Sequence, residues 1–233
     1  MDAQKYWWLL SLIISVIIIA TAFPNNFFSF LAYTLLIPYA FLLSVKKYGL
    51  EKSIKFLLTA VVLSYAFEFL GVHYGFPFGK YIYTSNLGYK IFEIPLLIPF
   101  MWFSFIAVSY MTFNSLFLSA VFTMLVDVVM DPLLSGRAWI WLTTLDNFYY
   151  GVPLSNFVGW FLVSFTILFL TFGTKRGDAR DLGSWMTYVS LVLSLSIIAF
   201  VREIVVAGMI GLGIVIVVLL YRRKNKRKRK RKL

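Results

Sequence analysis

The sequence predicts an all-α fold, a polytopic transmembrane helical bundle of about eight spans with both termini cytoplasmic. Three observations predict it. Hydrophobic residues make up 61% of the 233 positions, where a soluble domain has about half. Charged residues make up only 14%. The apolar residues fall in long continuous runs, whereas a membrane β-barrel would alternate over segments of about ten. Helices follow because lipid leaves no water to satisfy an open backbone. An aromatic content of 19% excludes a disordered chain. The absence of cysteine excludes a disulfide scaffold, a thiolate metal site and a cysteine nucleophile.

A helical span needs about 20 mostly apolar residues. The runs that qualify are Trp7–Phe23, Phe27–Val45, Ile54–Val72, Ile94–Phe113, Leu116–Met130, Phe157–Phe172, Trp185–Val201 and Ile204–Tyr221. The first has an early lysine, Lys5, but no small-x-small cleavage site, so it reads as a span rather than a signal peptide. Ser184–Tyr221 is one apolar stretch interrupted only by Arg202 and Glu203. As a single helix it would be about 57 Å long, too long for one crossing, so a tight hairpin is expected at Arg202–Glu203.

The formal net charge of +12 has one main source. Arg222–Lys232 carries ten Lys/Arg and no acid, and the rest has 12 basic residues against 10 acids. Residues 1–221 therefore read as the transmembrane domain and 222–233 as a disordered basic cytoplasmic tail. Basic clusters beside a last span are expected from the positive-inside rule, so the tail reads as a topology anchor among membrane lipids rather than a nucleic-acid binder. With eight spans, Lys5, Lys46, Lys47, Lys52, Lys55, Lys175, Arg176, Arg180 and the tail share the cytoplasmic side. The loops His73–Glu93 and Asp131–Ser155 fall outside. No internal repeat or soluble domain is visible.

Ionisable groups inside spans are costly and mark function by default. Glu68 lies near the outer end of the third span, and Asp127 and Asp131 near that of the fifth. The two aspartates, four apart, share a helix face, as do Tyr65 and Glu68. His73, the single histidine, stands at the mouth of the third span, and Asn156 opens the sixth. Plainer readings exist for each. Glu68 can pair with Lys80 or Arg137, and Asp131 before Pro132 can simply end its helix. His73 can be a structural hydrogen-bonder, and Trp102, Trp139, Trp141 and Trp160 can belong to the interfacial belt. Zinc-ligand spacings are absent, so no metal is expected. The two outer loops are rich in aromatics, glycine and proline and read as ordered segments closing over the acids, around an apolar ligand.

The segment Glu68–Tyr81 (EFLGVHYGFPFGKY), with Tyr83-Thr84 and Leu87-Gly88 after it, resembles the carotenoid biosynthesis membrane proteins of the carotenoid 1,2-hydratase type. That group includes the bisanhydrobacterioruberin hydratases. Pro95–Pro99 (PLLIP) with Trp102, the Asp127-x-x-x-Asp131-Pro132 run and Gly151–Trp160 (GVPLSNFVGW) follow the same pattern in the same order. The resemblance covers about Tyr65 to Trp160. It implies addition of water across the terminal C1,2 double bond of an acyclic carotenoid end group, giving a tertiary alcohol, in a multi-pass cell-membrane lyase without a cofactor. Such chemistry needs a carboxylic acid that keeps its proton, as burial in apolar surroundings favours. Asp127 or Asp131 is then the expected proton donor, with Glu68 as partner or water-orienting base. His73, Asn156, Tyr65, Tyr81, Trp102 and Trp160 are the expected substrate- or water-binding residues. Two other readings stand beside it. Asp127-x-x-x-Asp131 also has the spacing by which membrane prenyltransferases hold Mg²⁺ and diphosphate, although a second acidic motif is missing. A lipid-binding or transport protein would use the acids as a proton relay.

Overall fold

The computed structural model describes residues 26–143, 149–173 and 182–230. The expected first span, Trp7–Phe23, lies outside the described residues, as do Lys5, Lys175, Arg176 and Arg180. The described chain is helical: α1 Asn26–Tyr48, α2 Leu50–Tyr74, α3 Leu97–Phe113, α4 Leu116–Leu134, α5 Leu154–Phe172, α6 Leu182–Val201 and α7 Val205–Lys230. Four short strands lie between them: β1 Tyr81–Tyr83, β2 Lys90–Ile91, β3 Ile94–Pro95 and β4 Trp139–Trp141. Among the described residues, α2, α4, α5, α6 and α7 each contain a stretch long and apolar enough to cross a membrane, while α3 is apolar but shorter.

The helix ends have local causes. Gly75 takes a left-handed conformation (φ 78°) and Phe76 N–H returns to the Leu70 carbonyl, which closes α2. Asn114 is left-handed after α3, and the Ser115 hydroxyl accepts from Leu118 N–H to start α4. The expected hairpin at Arg202–Glu203 is present, with Glu203 at φ 61° and Ile204 N–H bonded to the Ala199 carbonyl. Three expectations need correction. The fourth run begins as helix at Leu97, because Ile94–Pro95 pairs as strand β3 with β2. Asp131-Pro132 does not end α4, which continues to Leu134. A proline near a helix end removes only one N–H from a ladder already running out. The backbone of α7 stays helical to Lys230, into the segment expected to lack order. Arginine and lysine are good helix formers, and the span supplies a nucleus for them to extend.

α3 is the central helix. All its residues except Leu97 and Phe100 are buried, which is why it is apolar all round rather than amphipathic. It packs against α1, α2, α4 and α6; α4 lies along α5, and the α6–α7 hairpin closes on α4. Several buried hydroxyls are satisfied within their own helices: Ser104, Thr112, Thr123, Thr171 and Ser196 each donate to the carbonyl four residues back. The links α2–α3, α4–α5 and α6–α7 share one end of the bundle. Arg202 donates to the Leu133 carbonyl there, and Val206 N–H to the Tyr150 hydroxyl.

Candidate active site: two carboxyls under an aromatic ribbon

At that end the first two of these links are joined. Strands β1 and β4 pair antiparallel, with Tyr81 opposite Trp141 and Tyr83 opposite Trp139. Strand side chains alternate between faces, so these four rings share one face and Ile82 and Ile140 the other. The isoleucines are exposed and the four rings are turned to the bundle. Every one of the four carries a hydrogen-bond donor, and every donor reaches a carboxyl.

Tyr81 Oη and Tyr83 Oη both donate to Glu68 Oε2, the second at 2.6 Å. Trp102 Nε1, from α3, donates to Glu68 Oε1 at 2.7 Å. Trp139 Nε1 and Trp141 Nε1 donate to Asp131 Oδ1 at 2.8 and 3.2 Å. Asn156, in the first turn of α5, donates from Nδ2 to Asp127 Oδ2 and to Asp131 Oδ2, each at 2.7 Å. Asp127 Oδ1 is buried and has no partner. Glu68 is 4% exposed, Asp127 0%, Asp131 1% and Asn156 2%. The Glu68 pairing with Lys80 or Arg137 considered from sequence is not what the fold makes, since its three donors are neutral. Burial, and next the Glu68 carboxylate, push the Tyr81 and Tyr83 phenols well above their ordinary 10.

Between the carboxyls lies a small cleft, partly open to its surroundings. Glu68, Asp131, Asn156 and Tyr81 line it, and so do Trp102 and Trp160, stacked with centroids 3.8 Å apart. Apolar side chains including Ile98, Met101, Phe105 and Met130 fill the remaining wall.

Residues 24–222 match the model of a family described as carotenoid biosynthesis protein. The chain belongs to that family. It is also similar to the bisanhydrobacterioruberin hydratase of Haloarcula japonica, 31% identical over 140 residues. That alignment covers 53% of this chain and 46% of the relative, so the chain matches less than half of the relative's length. No solved structure matches.

In this carotenoid biosynthesis protein the fold gathers most of the residues singled out from sequence, but not all. Asp127 is joined to the site through Asn156 and does not line the cleft. His73 is not among the lining residues; its ring lies against Phe69 at 4.3 Å, and Nε2 is buried without a partner. Tyr65 is also outside the cleft, its hydroxyl donating to the Ile91 carbonyl at 2.9 Å. His73, five positions on from Glu68, is turned to a different side of α2, whereas Tyr65 shares the Glu68 face but lies a turn further along, with its hydroxyl on Ile91. Conversely, Tyr83 and the two tryptophans that read from sequence as belt residues, Trp139 and Trp141, contact the carboxyls. Their signal was present: Tyr-Ile-Tyr and Trp-Ile-Trp are two matching period-two triplets, one in each loop. Phe78 is the other addition. It lines the cleft and is wedged between glycines of two helices, since a Cβ on Gly71 or Gly159 would stand 2.8 or 2.5 Å from its ring.

Proposed function

We propose that this chain adds water to the terminal C1,2 double bond of an acyclic carotenoid end group by acid catalysis, giving a tertiary alcohol. One observation carries the reading: two buried carboxyls, bound only by neutral donors, face an apolar aromatic cleft. Its mostly apolar and aromatic lining, with a few convergent polar groups, suits one end of a long isoprenoid.

The reaction needs a proton on C2, a tertiary cation at C1 and capture of that cation by water. Asp131 lines the cleft, so it is the donor to C2. Asp127 is its partner across Asn156, and two carboxyls linked in this way titrate as a pair that can hold one proton. The Trp102 and Trp160 faces present π density to the cation. Glu68, held as an acceptor by three donors, orients the water and takes its proton as the C1–O bond forms. Return of that proton to Asp131 through water closes the cycle, with one water consumed and one π bond lost. No cofactor enters these steps.

The prenyltransferase alternative requires Asp127 and Asp131 to face metal and diphosphate. Their described partners are instead an amide and two indoles, with no lysine or arginine supplied for phosphate. Lys46, Lys47, Lys52, Lys55, Arg222 and Arg223 belong to the other end of the bundle, which supports a cytoplasmic placement of that end and of the basic segment that follows α7.

The test is expression in a host that makes an acyclic carotenoid, with mass analysis of the pigment. The expected product is heavier by one water and forms without Mg²⁺. Asp131→Asn and Asp127→Asn should each abolish it, and full activity in Asp131→Asn would remove the proton-donor assignment. Strict dependence on Mg²⁺ and a prenyl diphosphate would favour the prenyltransferase, and binding without conversion a carrier.

A further inference from the structure

The β2–β3 hairpin contributes no residue to the cleft lining, although Lys90 donates to the Tyr83 carbonyl, and it has an unusual construction. Lys90 pairs with Pro95 and Ile91 with Ile94, which leaves Phe92 and Glu93 as a two-residue turn. Both are left-handed, at φ 45° and 68°. Such turns ordinarily use Asn-Gly or Asp-Gly, because a bulky side chain at positive φ is strained. Phe92 is 70% exposed, so packing in the core does not explain its presence at the tip. Strain of this kind points to a role.

The hairpin folds down the flank of α2. The Tyr65 hydroxyl donates to the Ile91 carbonyl, and the Phe92 ring stands edge-on to Phe69 at 6.3 Å. Tyr65 is nine residues before the end of α2, about 13 Å along its axis. Helical side chains lean toward the N-terminus, which carries its hydroxyl further from that end. The 25 residues of α2 make about 37 Å, roughly 7 Å more than the hydrocarbon layer. Tyr65 and Phe69 also continue the exposed apolar flank marked by Leu58 and Val62. A carbonyl held against that lipid-facing flank finds little water, and the phenol supplies its partner.

We infer that the β2–β3 hairpin is an interfacial element, seated in the lipid surface at the cleft end of the bundle with Ile91 and Phe92 among the acyl-chain boundary atoms. The exposed Glu93 carboxylate limits its depth to the headgroup level.

The cysteine-free chain allows a direct test. Phe92→Cys, Ile91→Cys and Ser85→Cys, the last exposed in the same loop, are each labelled with bimane in the full chain. The labelled proteins are placed in phosphatidylcholine nanodiscs, which leave both faces open to water. Quenching is compared between iodide and a lipid carrying a shallow nitroxide. The ratio of iodide to lipid quenching should be several-fold lower at 91 and 92 than at 85. A ratio at both positions equal to or above that at 85 overturns the inference. If the tip variant fails to fold, Ile91→Cys decides alone by the same comparison. The readout does not depend on enzymatic activity.

Discussion

Replacing Asn156 with leucine removes the side chain that, among the described residues, hydrogen-bonds both Asp127 and Asp131. Leucine is close in volume, so the first turn of α5 keeps its packing while both 2.7 Å bonds disappear. A hydrogen bond to a charged group contributes about 1.5–3 kcal/mol. Only the bond to Asp131 belongs to a residue lining the cleft, so one such loss is assigned to the chemical step. At about 1.4 kcal/mol per decade it predicts a rate lower by roughly 10- to 100-fold. Loss of both bonds also lowers the thermal midpoint, because two buried carboxyls are left less satisfied. The assay is the rate of hydrated pigment formation in membranes, normalised to folded protein by size-exclusion chromatography. A variant with a lowered midpoint and a wild-type rate would refute the shared-proton arrangement, leaving Asn156 a purely structural bridge.

Other expectations follow from the same geometry. Trp102→Phe keeps a ring against Trp160 but loses the indole donor to Glu68, and should slow hydration about tenfold with little change in folding. Trp102→Leu, which also removes the π face, should be slower still. The raised Tyr81 and Tyr83 phenols stay protonated in the fold when the unfolded chain ionises them near pH 10. Their contribution to stability is therefore complete below about pH 10 and falls as pH rises above it. A thermal midpoint against pH, read with tyrosinate absorbance, checks this, and tyrosinate from these two residues without unfolding would contradict it. Gly159→Ala drives a methyl against Phe78, whose ring is confined on its other side by Gly71. Overpacking of this kind costs about 1–3 kcal/mol, and activity should fall with it. Phe78→Leu in the same chain should restore activity if displacement of that ring is the cause.

The helical architecture was legible because each apolar run names a helix in lipid without help from its neighbours. The hairpin at Arg202–Glu203 followed from length alone. The three acids stood out because an apolar span makes a carboxylate expensive anywhere. The pairing of β1 with β4 was not legible: each loop shows a period-two triplet, but three-residue strands gain their meaning only when paired. Tyr81–Tyr83 and Trp139–Trp141 are more than fifty residues apart, and nothing local states that one will lie against the other. The end of α4 was misjudged for a related reason: Asp131-Pro132 is a good local stop, but Asp131 gains three donors by staying helical and buried.

What the sequence by itself determined is the class, the family and the costly residues. Hydropathy sets the spans, and separated motifs in a fixed order set the kinship. Tertiary structure decided which polar groups meet. Only the pairing of two loops brings four aromatic donors onto Glu68 and Asp131, and only the packing of α5 on α4 places Asn156 between two aspartates. It also separated His73 and Tyr65 from the cleft, although each is within five residues of Glu68. The physical reason is one of range. Burial preference is carried by each residue alone, whereas a hydrogen bond is fixed by where the fold puts its partner.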